Sequence, residues 1–248
     1  MRRNILITGA SSGLGAGMAR VFAGMNRNLA LCARRTDRLE TLRDELLRDH
    51  PDIRVSIRPL DVDDHDAVFE TFRAFDSDLG GLDRVIVNAG MGKGQPLGTG
   101  YFYANKQTAY TNFVSALAQM EAATELFRAA GQGHLVPISS ISAFRGFPRN
   151  LTTYAASKAG LATLAEGLRA DLVGTDIKVT TIYPGYIRSE INEKVKKTPF
   201  MVDTVTGCRA LARAIEKEPA EASVPAWPWV PLGAAMRHMP LRFISRMA

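Results

Sequence analysis

The sequence has only two cysteines and no long run of apolar residues. Cys32 and Cys208 are far apart in apolar segments, so we predict buried thiols rather than a disulfide framework. Reduced thiols are typical of a reducing compartment, and we therefore expect a cytoplasmic protein. The apolar residues 5–8 are too few for a signal peptide, and no segment is long enough for a transmembrane helix.

A concentrated basic surface is also missing, although the net charge is +6. Arginine and lysine are scattered along the predicted helices, without the interleaved aromatic residues of a nucleic-acid-binding module. A solvated basic surface therefore explains the charge, and no nucleic-acid partner is expected. The composition, 46% hydrophobic and 23% charged, is that of an ordinary globular protein, and 248 residues suit one large domain.

Short β-rich segments alternate with segments of helical periodicity along the chain. This alternation predicts an α/β, Rossmann-like fold, in which a doubly wound parallel sheet of about seven strands carries helices on both faces. We expect a single domain over residues 1–248. Ligands of such sheets bind outside the carboxyl ends of the strands. Six residues lie at predicted strand ends and so indicate one site: Gly9, Ala33, Asp61, Asn88, Ser140 and Pro184.

The first predicted strand leads into a glycine-rich turn and then into a helix. The turn reads Gly9-Ala10-Ser11-Ser12-Gly13-Leu14-Gly15. In this context glycines allow a tight turn and a close approach of the backbone to a pyrophosphate, which the N–H groups of the helix N-terminus bind. The spacing is Gly-x-x-x-Gly-x-Gly rather than Gly-x-Gly-x-x-Gly, which predicts a different loop. The alternative is a glycine-rich turn without a ligand.

Two arginines follow the second predicted strand. Many dinucleotide-binding folds place a carboxylate here to hold the ribose hydroxyls, but Ala33 is followed by Arg34 and Arg35. Guanidinium groups bind a 2′-phosphate that a carboxylate would repel, so the sequence favours NADP(H) over NAD(H). The alternative is two solvated arginines before a helix that Thr36 or Asp37 caps, and both interpretations can hold at once.

Two further strand ends carry candidate cofactor contacts. Asp61 and Val62 follow the third predicted strand, where the carboxylate can accept a hydrogen bond from adenine or cap the next helix. Asn88, Ala89 and Gly90 follow the fourth strand, and the glycine allows the backbone to lie close to a bound cofactor.

Tyr154 and Lys158 begin a predicted helix and are one turn apart, so their side chains leave the same face. A cation about 4 Å from a phenol is worth roughly 4 kcal/mol at an effective dielectric constant near 20, or about three pKa units. We therefore expect Lys158 to lower the pKa of Tyr154, which could then protonate a carbonyl or deprotonate an alcohol. Asn112 lies in another predicted helix, where its alternative is a surface position.

Four motifs resemble, in order, those of the short-chain dehydrogenase/reductase family, over essentially the full chain. They are residues 8–15, Asn88-Ala89-Gly90, Tyr154-x-x-x-Lys158 and Pro184-Gly185. The resemblance implies an NADP(H)-dependent oxidoreductase that interconverts a carbonyl and an alcohol by hydride transfer. A non-catalytic NADP(H)-binding sensor on the same fold is the alternative.

The resemblance also implies roles for four catalytic residues. Tyr154 would be the acid/base, Ser140 would hydrogen-bond the substrate oxygen, and Lys158 would bind the nicotinamide ribose. Asn112 would hold a water in a proton relay. Ser140 lies one residue further from Tyr154 than the family's serine usually does, so Ser142 is an alternative, although Ser140 is preferred.

Motifs and resemblance together assign the cofactor contacts, and no metal is expected. The assigned residues are Gly9, Ser11, Ser12, Gly13, Leu14, Gly15, Arg34, Arg35, Asp61, Val62, Asn88, Ala89, Gly90, Tyr154, Lys158, Pro184, Gly185, Ile187 and Ser189.

Two late segments are predicted to border the site. Residues 186–200 have no clean period and contain three lysines, which indicates a mobile lid. Residues 225–248 mix apolar residues with arginines. This tail could contact an anionic membrane surface peripherally or collect a lipophilic substrate, but packing over the protein's own cleft or a partner subunit is favoured. The resemblance implies a homodimer or homotetramer built on the helices of Asn112 and Tyr154, and the substrate is expected to be a small lipophilic carbonyl or alcohol.

Overall fold

The computed structural model of the protein describes residues 2–92, 94–190 and 200–245. The strands are β1 (Asn4–Thr8), β2 (Asn28–Ala33), β3 (Val55–Pro59), β4 (Arg84–Val87), β5 (Gln132–Pro137), β6 (Asp176–Val179), β7 (Thr181–Pro184) and β8 (Glu221–Val224). The helices are α1 (Gly13–Ala23), α2 (Thr36–Asp49), α3 (His65–Leu79), α4 (Phe102–Ala109), α5 (Ser115–Ala130), α6 (Thr152–Asp171), α7 (Thr204–Glu216), α8 (Ala226–His238) and α9 (Leu241–Ile244).

Six strands form one parallel sheet in the order β3-β2-β1-β4-β5-β6, and β7 and β8 pair in parallel as a second, two-stranded sheet. The predicted Rossmann-like fold with a parallel sheet is therefore confirmed, and the six strands of the main sheet compare with about seven expected. The predicted sixth strand is split at Thr180, whose N–H donates to the carbonyl of Leu135 at 2.9 Å while its hydroxyl donates to Pro219 at 2.6 Å. Thr180 thus separates the part of this strand that pairs with β5 from the part that pairs with β8.

The sheet is covered on both faces. Along β1, Ile5 and Ile7 join the hydrophobic cluster that contains the buried residues of α1, α2 and α7, whereas Leu6 joins the cluster of α3, α5 and α6. Successive side chains of a strand point to opposite faces, so a strand buried on both sides must be apolar throughout. This explains the short, continuous apolar runs of the sequence.

The helix starts correct two expectations. Asp64 caps α3 by accepting a hydrogen bond from the N–H of Ala67 at 3.1 Å, so Asp61 is not the cap. Arg35 occupies the N-cap position of α2, so the predicted caps Thr36 and Asp37 are wrong. Neither the side chain of Asp61 nor that of Arg35 caps a helix, and both lie beside the site.

A buried ionic cluster lies at the amino edge of the sheet, opposite the strand ends that form the site. Arg84, fully buried at the start of β4, donates from Nε to Nδ1 of His134 at 2.8 Å and also contacts Glu216 and Glu218. Burial, reinforced by Arg84, lowers the pKa of His134 to about 2. His134 is therefore neutral, and its Nε2 donates to the hydroxyl of Thr180 at 2.8 Å.

The tail packs against the protein itself, as the favoured interpretation predicted. Helix α8 contacts the 3₁₀ turn Ile141–Phe144 beside the site and buries Trp229. Arg145 donates to the backbone carbonyls of Arg237 and Met239 at 3.2 and 3.0 Å. The strand predicted near residues 222–227 corresponds to β8, but β8 is shorter. It ends at Val224, and helix α8 begins at Ala226.

The outer side of the tail remains apolar. Trp227, Val230 and Leu241 are exposed, so peripheral contact with a membrane surface stays a prediction. Within the described residues, the helices are too short or too polar to cross a membrane.

Candidate active site

Glycines allow the tight backbone turn between β1 and α1. Gly9 and Gly13 have φ of +65° and +54°, a left-handed conformation that side chains disfavour. A Cβ on Gly15 would lie 2.4 Å from the carbonyl oxygen of Gly9, so only glycine fits there. Helix α1 begins at Gly13, and the hydroxyl of Ser12 accepts a hydrogen bond from Arg35 rather than capping the helix. The first N–H groups of α1 thus face the turn.

Asn88 fastens the end of β4 to the end of β1. Its Nδ2 donates to the carbonyl of Thr8 at 2.8 Å, and the hydroxyl of Thr8 accepts from the N–H groups of Asn88 and Ala89 at 3.0 and 3.1 Å. These three bonds set the spacing between the glycine turn and Gly90. Sequence reasoning missed Thr8, and the only available signal was a hydroxyl residue at a buried strand end.

Both predicted arginines have acidic neighbours. Arg34 lies 3.7 Å from Asp61, and Arg35 lies 3.0 Å from Glu190, which sequence reasoning did not single out. Arg35 also donates to the hydroxyls of Ser11 and Ser12, at 3.2 and 2.7 Å. The predicted contacts to adenosine and its 2′-phosphate therefore lie together at the ends of β1, β2 and β3. Val62 is buried below them.

Ser140 and Tyr154 meet at the carboxyl end of β5. The side chain of Ser140 lies close enough to the Tyr154 phenol to act on its pKa. The hydroxyl of the preceding Ser139 donates to the carbonyl of Lys158 at 2.8 Å, which joins this loop to α6. The N–H of Ser142 donates to the Ser140 hydroxyl at 3.1 Å, so the two serines are neighbours and the geometry favours Ser140 as the partner of Tyr154.

The pKa of Tyr154 is raised above its ordinary value, contrary to our expectation. Burial is the main cause, Tyr186 acts in the same direction, and the side chain of Ser140 opposes them. The predicted lowering by Lys158 is not seen because the ammonium group is committed elsewhere: Lys158 Nζ donates to the carbonyl of Ile138 at 2.9 Å. Burial lowers the pKa of Lys158 to about 8.

Asn112 is fully buried, so its alternative as a surface residue is wrong. It lies in a single π-helical turn, Tyr110–Val114, between α4 and α5, and such turns often mark functional sites. Its amide accepts from the N–H of Met91 and donates to the carbonyl of Met91, both at 2.8 Å. A Cβ on Gly90 would lie 3.0 Å from Asn112 Oδ1 and 3.4 Å from Lys158 Nζ. Gly90 therefore opens the space in which these two polar groups converge.

The chain after β7 closes the site from the other side. A Cβ on Gly185 would lie 2.0 Å from Nε1 of Trp229, so the tail packs directly on the Pro184-Gly185 motif. Ile187 is buried and forms a bridge with Val202. Ser189 lies over the glycine turn, where a Cβ on Gly13 would be 3.4 Å from Cβ of Ser189. Residues 191–199 of the predicted lid lie outside the described residues.

A family model for short chain dehydrogenase matches residues 3–199. The chain belongs to the short-chain dehydrogenase/reductase family. An uncharacterized oxidoreductase of Mycobacterium tuberculosis is 53% identical over 247 residues, which cover 100% of this chain and 98% of that protein. The protein is therefore an oxidoreductase of the short-chain dehydrogenase/reductase family, and membership implies a nicotinamide cofactor, NAD(H) or NADP(H).

Two solved structures show the same fold. One from Burkholderia phymatum, in complex with NAD, superposes with a TM-score of 0.84 at 18% identity and covers 100% of this chain and 96% of its own. An alcohol dehydrogenase from Thermococcus sibiricus, complexed with 5-hydroxy-NADP, has a TM-score of 0.79 at 23% identity, with 89% and 95% covered. The glycine turn at the N-terminus of α1 fits the pyrophosphate of the nicotinamide cofactor that family membership implies.

Proposed function

We propose that the protein is an NADP(H)-dependent oxidoreductase that interconverts a lipophilic ketone or aldehyde and the corresponding alcohol, with Tyr154 as the acid/base. One observation carries the proposal: the side chain of Ser140 lies beside the Tyr154 phenol at the carboxyl end of β5, close enough to act on the pKa of that phenol. Two hydroxyl groups so placed can both address one carbonyl oxygen.

Tyr154 and Ser140 would have different roles at the substrate oxygen, proton transfer and hydrogen bonding respectively. The bound cofactor would supply the hydride in carbonyl reduction and accept it in alcohol oxidation. In carbonyl reduction the protonated phenol of Tyr154 would donate its proton to the substrate oxygen, and the raised pKa makes it a weaker acid than a free tyrosine. Ser140 would hold the same oxygen by a second hydrogen bond.

Lys158 and Asn112 would act behind the reacting oxygen. Lys158 is buried with a pKa of about 8, and its Nζ lies close to Gly90, where ribose hydroxyls would bind. Asn112 is bonded to both backbone groups of Met91, which fixes the chain that follows Gly90. Asn112 would therefore position this part of the site, in addition to holding the water of the proposed proton relay.

The preference for NADP(H) rests on charge. Arg34 and Arg35 end β2 on the side where the second ribose would bind, and both guanidinium groups remain partly exposed. Phosphate monoesters are recognised well by such a pair. Arg38, one turn along α2, adds a third cation that sequence reasoning missed.

The substrate side of the site supports a lipophilic ligand. Tyr186 packs edge-on against Trp229 with ring centroids 5.2 Å apart, and Phe200 contacts the same indole ring at 6.2 Å. Tyr186 also influences the pKa of Tyr154, so this aromatic group borders the reacting phenol. A wall of three aromatic rings favours apolar carbonyl compounds over small polar ones.

We also propose that the chain forms a homodimer or homotetramer through the outer face of α4 and α6. A groove of about 530 Å³ runs there and is nearly all apolar in lining, with Phe102, Tyr110 and Val114 exposed along it. Neither Tyr154 nor Ser140 lines this groove. A contiguous exposed apolar face of this kind marks an interface, and a second copy of the chain is the proposed occupant.

The proposal is tested by measuring NADPH and NADH oxidation against aldehydes and ketones of increasing chain length. Turnover with NADPH that rises with chain length and disappears in Tyr154→Phe supports the proposed function. NADPH binding without turnover of any carbonyl supports the non-catalytic sensor instead.

A further inference from the structure

Glu190 occupies the centre of the cation group at the end of β2. One carboxylate oxygen accepts from Arg35 at 3.0 Å, and the other accepts from Arg38. Arg35 at the same time donates to the hydroxyls of Ser11 and Ser12 in the glycine turn. The carboxylate therefore sits where the guanidinium groups and the serine hydroxyls converge.

The same groups are those proposed to hold the 2′-phosphate of NADP(H). A carboxylate is planar and a phosphate is tetrahedral, but both present anionic oxygens that accept paired hydrogen bonds from the guanidinium group of arginine. Both cannot occupy one position, because like charges repel and the donors are shared. The strength of the present contacts is seen in the pKa of Glu190, which Arg38, Ser12 and Arg35 together lower to about 2.

We propose that Glu190 competes with the 2′-phosphate of NADP(H) for Arg35 and Arg38, and thereby sets the preference between NADP(H) and NAD(H). This inference rests on the proposed cofactor function. NADP(H) must displace the carboxylate to reach the arginines, whereas NAD(H), which has a hydroxyl there, does not. Glu190 thus weakens binding of NADP(H) selectively.

The backbone near Glu190 is anchored, so displacement requires only a side-chain movement. The N–H of Arg188 donates to the carbonyl of Val202 at 2.9 Å, and the hydroxyl of Thr204 donates to the carbonyl of Arg188 at 2.7 Å. Glu190 itself and both of its arginines are each more than 40% exposed. The carboxylate can therefore rotate into solvent while residues 187 and 188 keep their contacts.

The experiment measures dissociation constants of adenosine 2′,5′-bisphosphate and of 5′-AMP by calorimetry, so that neither the nicotinamide nor turnover is involved. In Glu190→Gln we expect the bisphosphate to bind about tenfold more tightly and 5′-AMP to change less than about twofold. Glu45→Gln is the matched control, since Glu45 on α2 forms a surface ion pair with Arg20 on α1 and its removal changes the net charge equally. We expect this control to leave both constants unchanged.

A double-mutant cycle with Arg38→Met sharpens the test. Because Glu190 neutralises Arg38 in the wild type, removing Arg38 is expected to weaken bisphosphate binding more in the Glu190→Gln background than in the wild-type background. Equal losses in the two backgrounds, or a Glu190→Gln protein that binds the bisphosphate no better than wild type, would overturn the inference while leaving the proposed reaction intact. If no variant distinguishes the bisphosphate from 5′-AMP, the inference and the proposed preference for NADP(H) both fail, whereas Tyr154-dependent turnover with NADH would preserve the oxidoreductase function.

Discussion

Trp229 Nε1 lies over the Cα of Gly185, so close that a Cβ at Gly185 would be 2.0 Å from it. The indole is buried and fills the space between the turn after β7 and the 3₁₀ turn Ile141–Phe144. Trp229→Ala should therefore leave a cavity, and we expect a loss of about 3–5 kcal/mol in the free energy of unfolding. Urea denaturation measures this loss.

Trp227→Ala is the matched control for this experiment. Trp227 is two residues away and 78% exposed, so its removal should change the free energy of unfolding by less than about 0.5 kcal/mol. Equal effects of the two substitutions would contradict the packing described for the tail.

Tyr154→Phe removes only the phenol oxygen. We expect cofactor binding to change little and turnover to fall by roughly 10²–10⁴, the usual contribution of a positioned acid/base. Steady-state kinetics and fluorescence titration with NADPH separate the two effects. Tyr110→Phe, on the outer face of the helices, serves as the control and should retain full turnover.

The lowered pKa of Lys158 makes the stability of the protein depend on pH. Its pKa is about 8 in the folded protein, against 10.5 ordinarily, and burial is the cause. Below pH 8 both states hold the proton and the burial cost is full. Between pH 8 and 10.5 the unfolded chain holds the proton that the folded protein has lost, so this residue's contribution to stability rises by up to about 1.4 kcal/mol per pH unit.

Urea denaturation of wild type and Lys158→Met between pH 7 and 10.5 measures this dependence. The free energy of unfolding of wild type minus that of the variant should increase with pH in the alkaline window, since groups common to both proteins largely cancel. A difference that stays constant or decreases would show that Lys158 keeps its proton in the fold.

The buried cluster at the amino edge of the sheet depends on Arg84. Arg84→Met would leave buried His134 Nδ1 without its donor and would remove one of the two arginines that pair with each of Glu216 and Glu218, and we expect a loss of about 1–3 kcal/mol in the free energy of unfolding. Arg58→Met is the control, because Arg58 forms a more exposed pair with Asp78 and should cost less than about 1 kcal/mol. Comparable losses in thermal or urea unfolding would mean that the cluster contributes no more than a surface pair.

The proposed interface can be tested by placing a charge in it. Val114→Glu should convert the oligomer to a smaller species, since a carboxylate buried between two copies is costly. Light scattering after size-exclusion chromatography gives the mass in solution. Val173→Glu, at an exposed site outside the groove, should keep the wild-type mass. A wild-type protein that is monomeric throughout would remove this proposal.

The parts of the site that follow from local spacing were predicted from the sequence. The glycine turn, the Tyr154 and Lys158 pair and the strand-end positions each depend on residues close together in the chain, and alternation of strands and helices fixes their common edge. The fold prediction succeeded for the same reason: β1, β2 and β4 are short, mainly apolar strands with clear boundaries.

The features that sequence reasoning missed depend on contacts between distant segments. Thr180, where the predicted strand is split, bonds to Pro219, and Glu190 is recruited by an arginine 152 residues earlier in the chain. The raised pKa of Tyr154 reflects burial, which the spacing of residues along the chain does not report. The Lys158 ammonium group donates to the carbonyl of Ile138, which directly follows β5. Helical spacing shows that two side chains share a face but does not show where their charged groups point.

The aromatic wall comes from a part of the chain that the family model does not include. The model matches residues 3–199, whereas Phe200 and Trp229 lie beyond it and pack on Tyr186 inside it. Under the proposed function, two of the three rings that would contact the ligand are therefore encoded after the stretch that carries the catalytic residues. Exchanging residues 200–245 between relatives should transfer the preference for one carbonyl compound over another, while the residues proposed for hydride transfer remain those of the recipient.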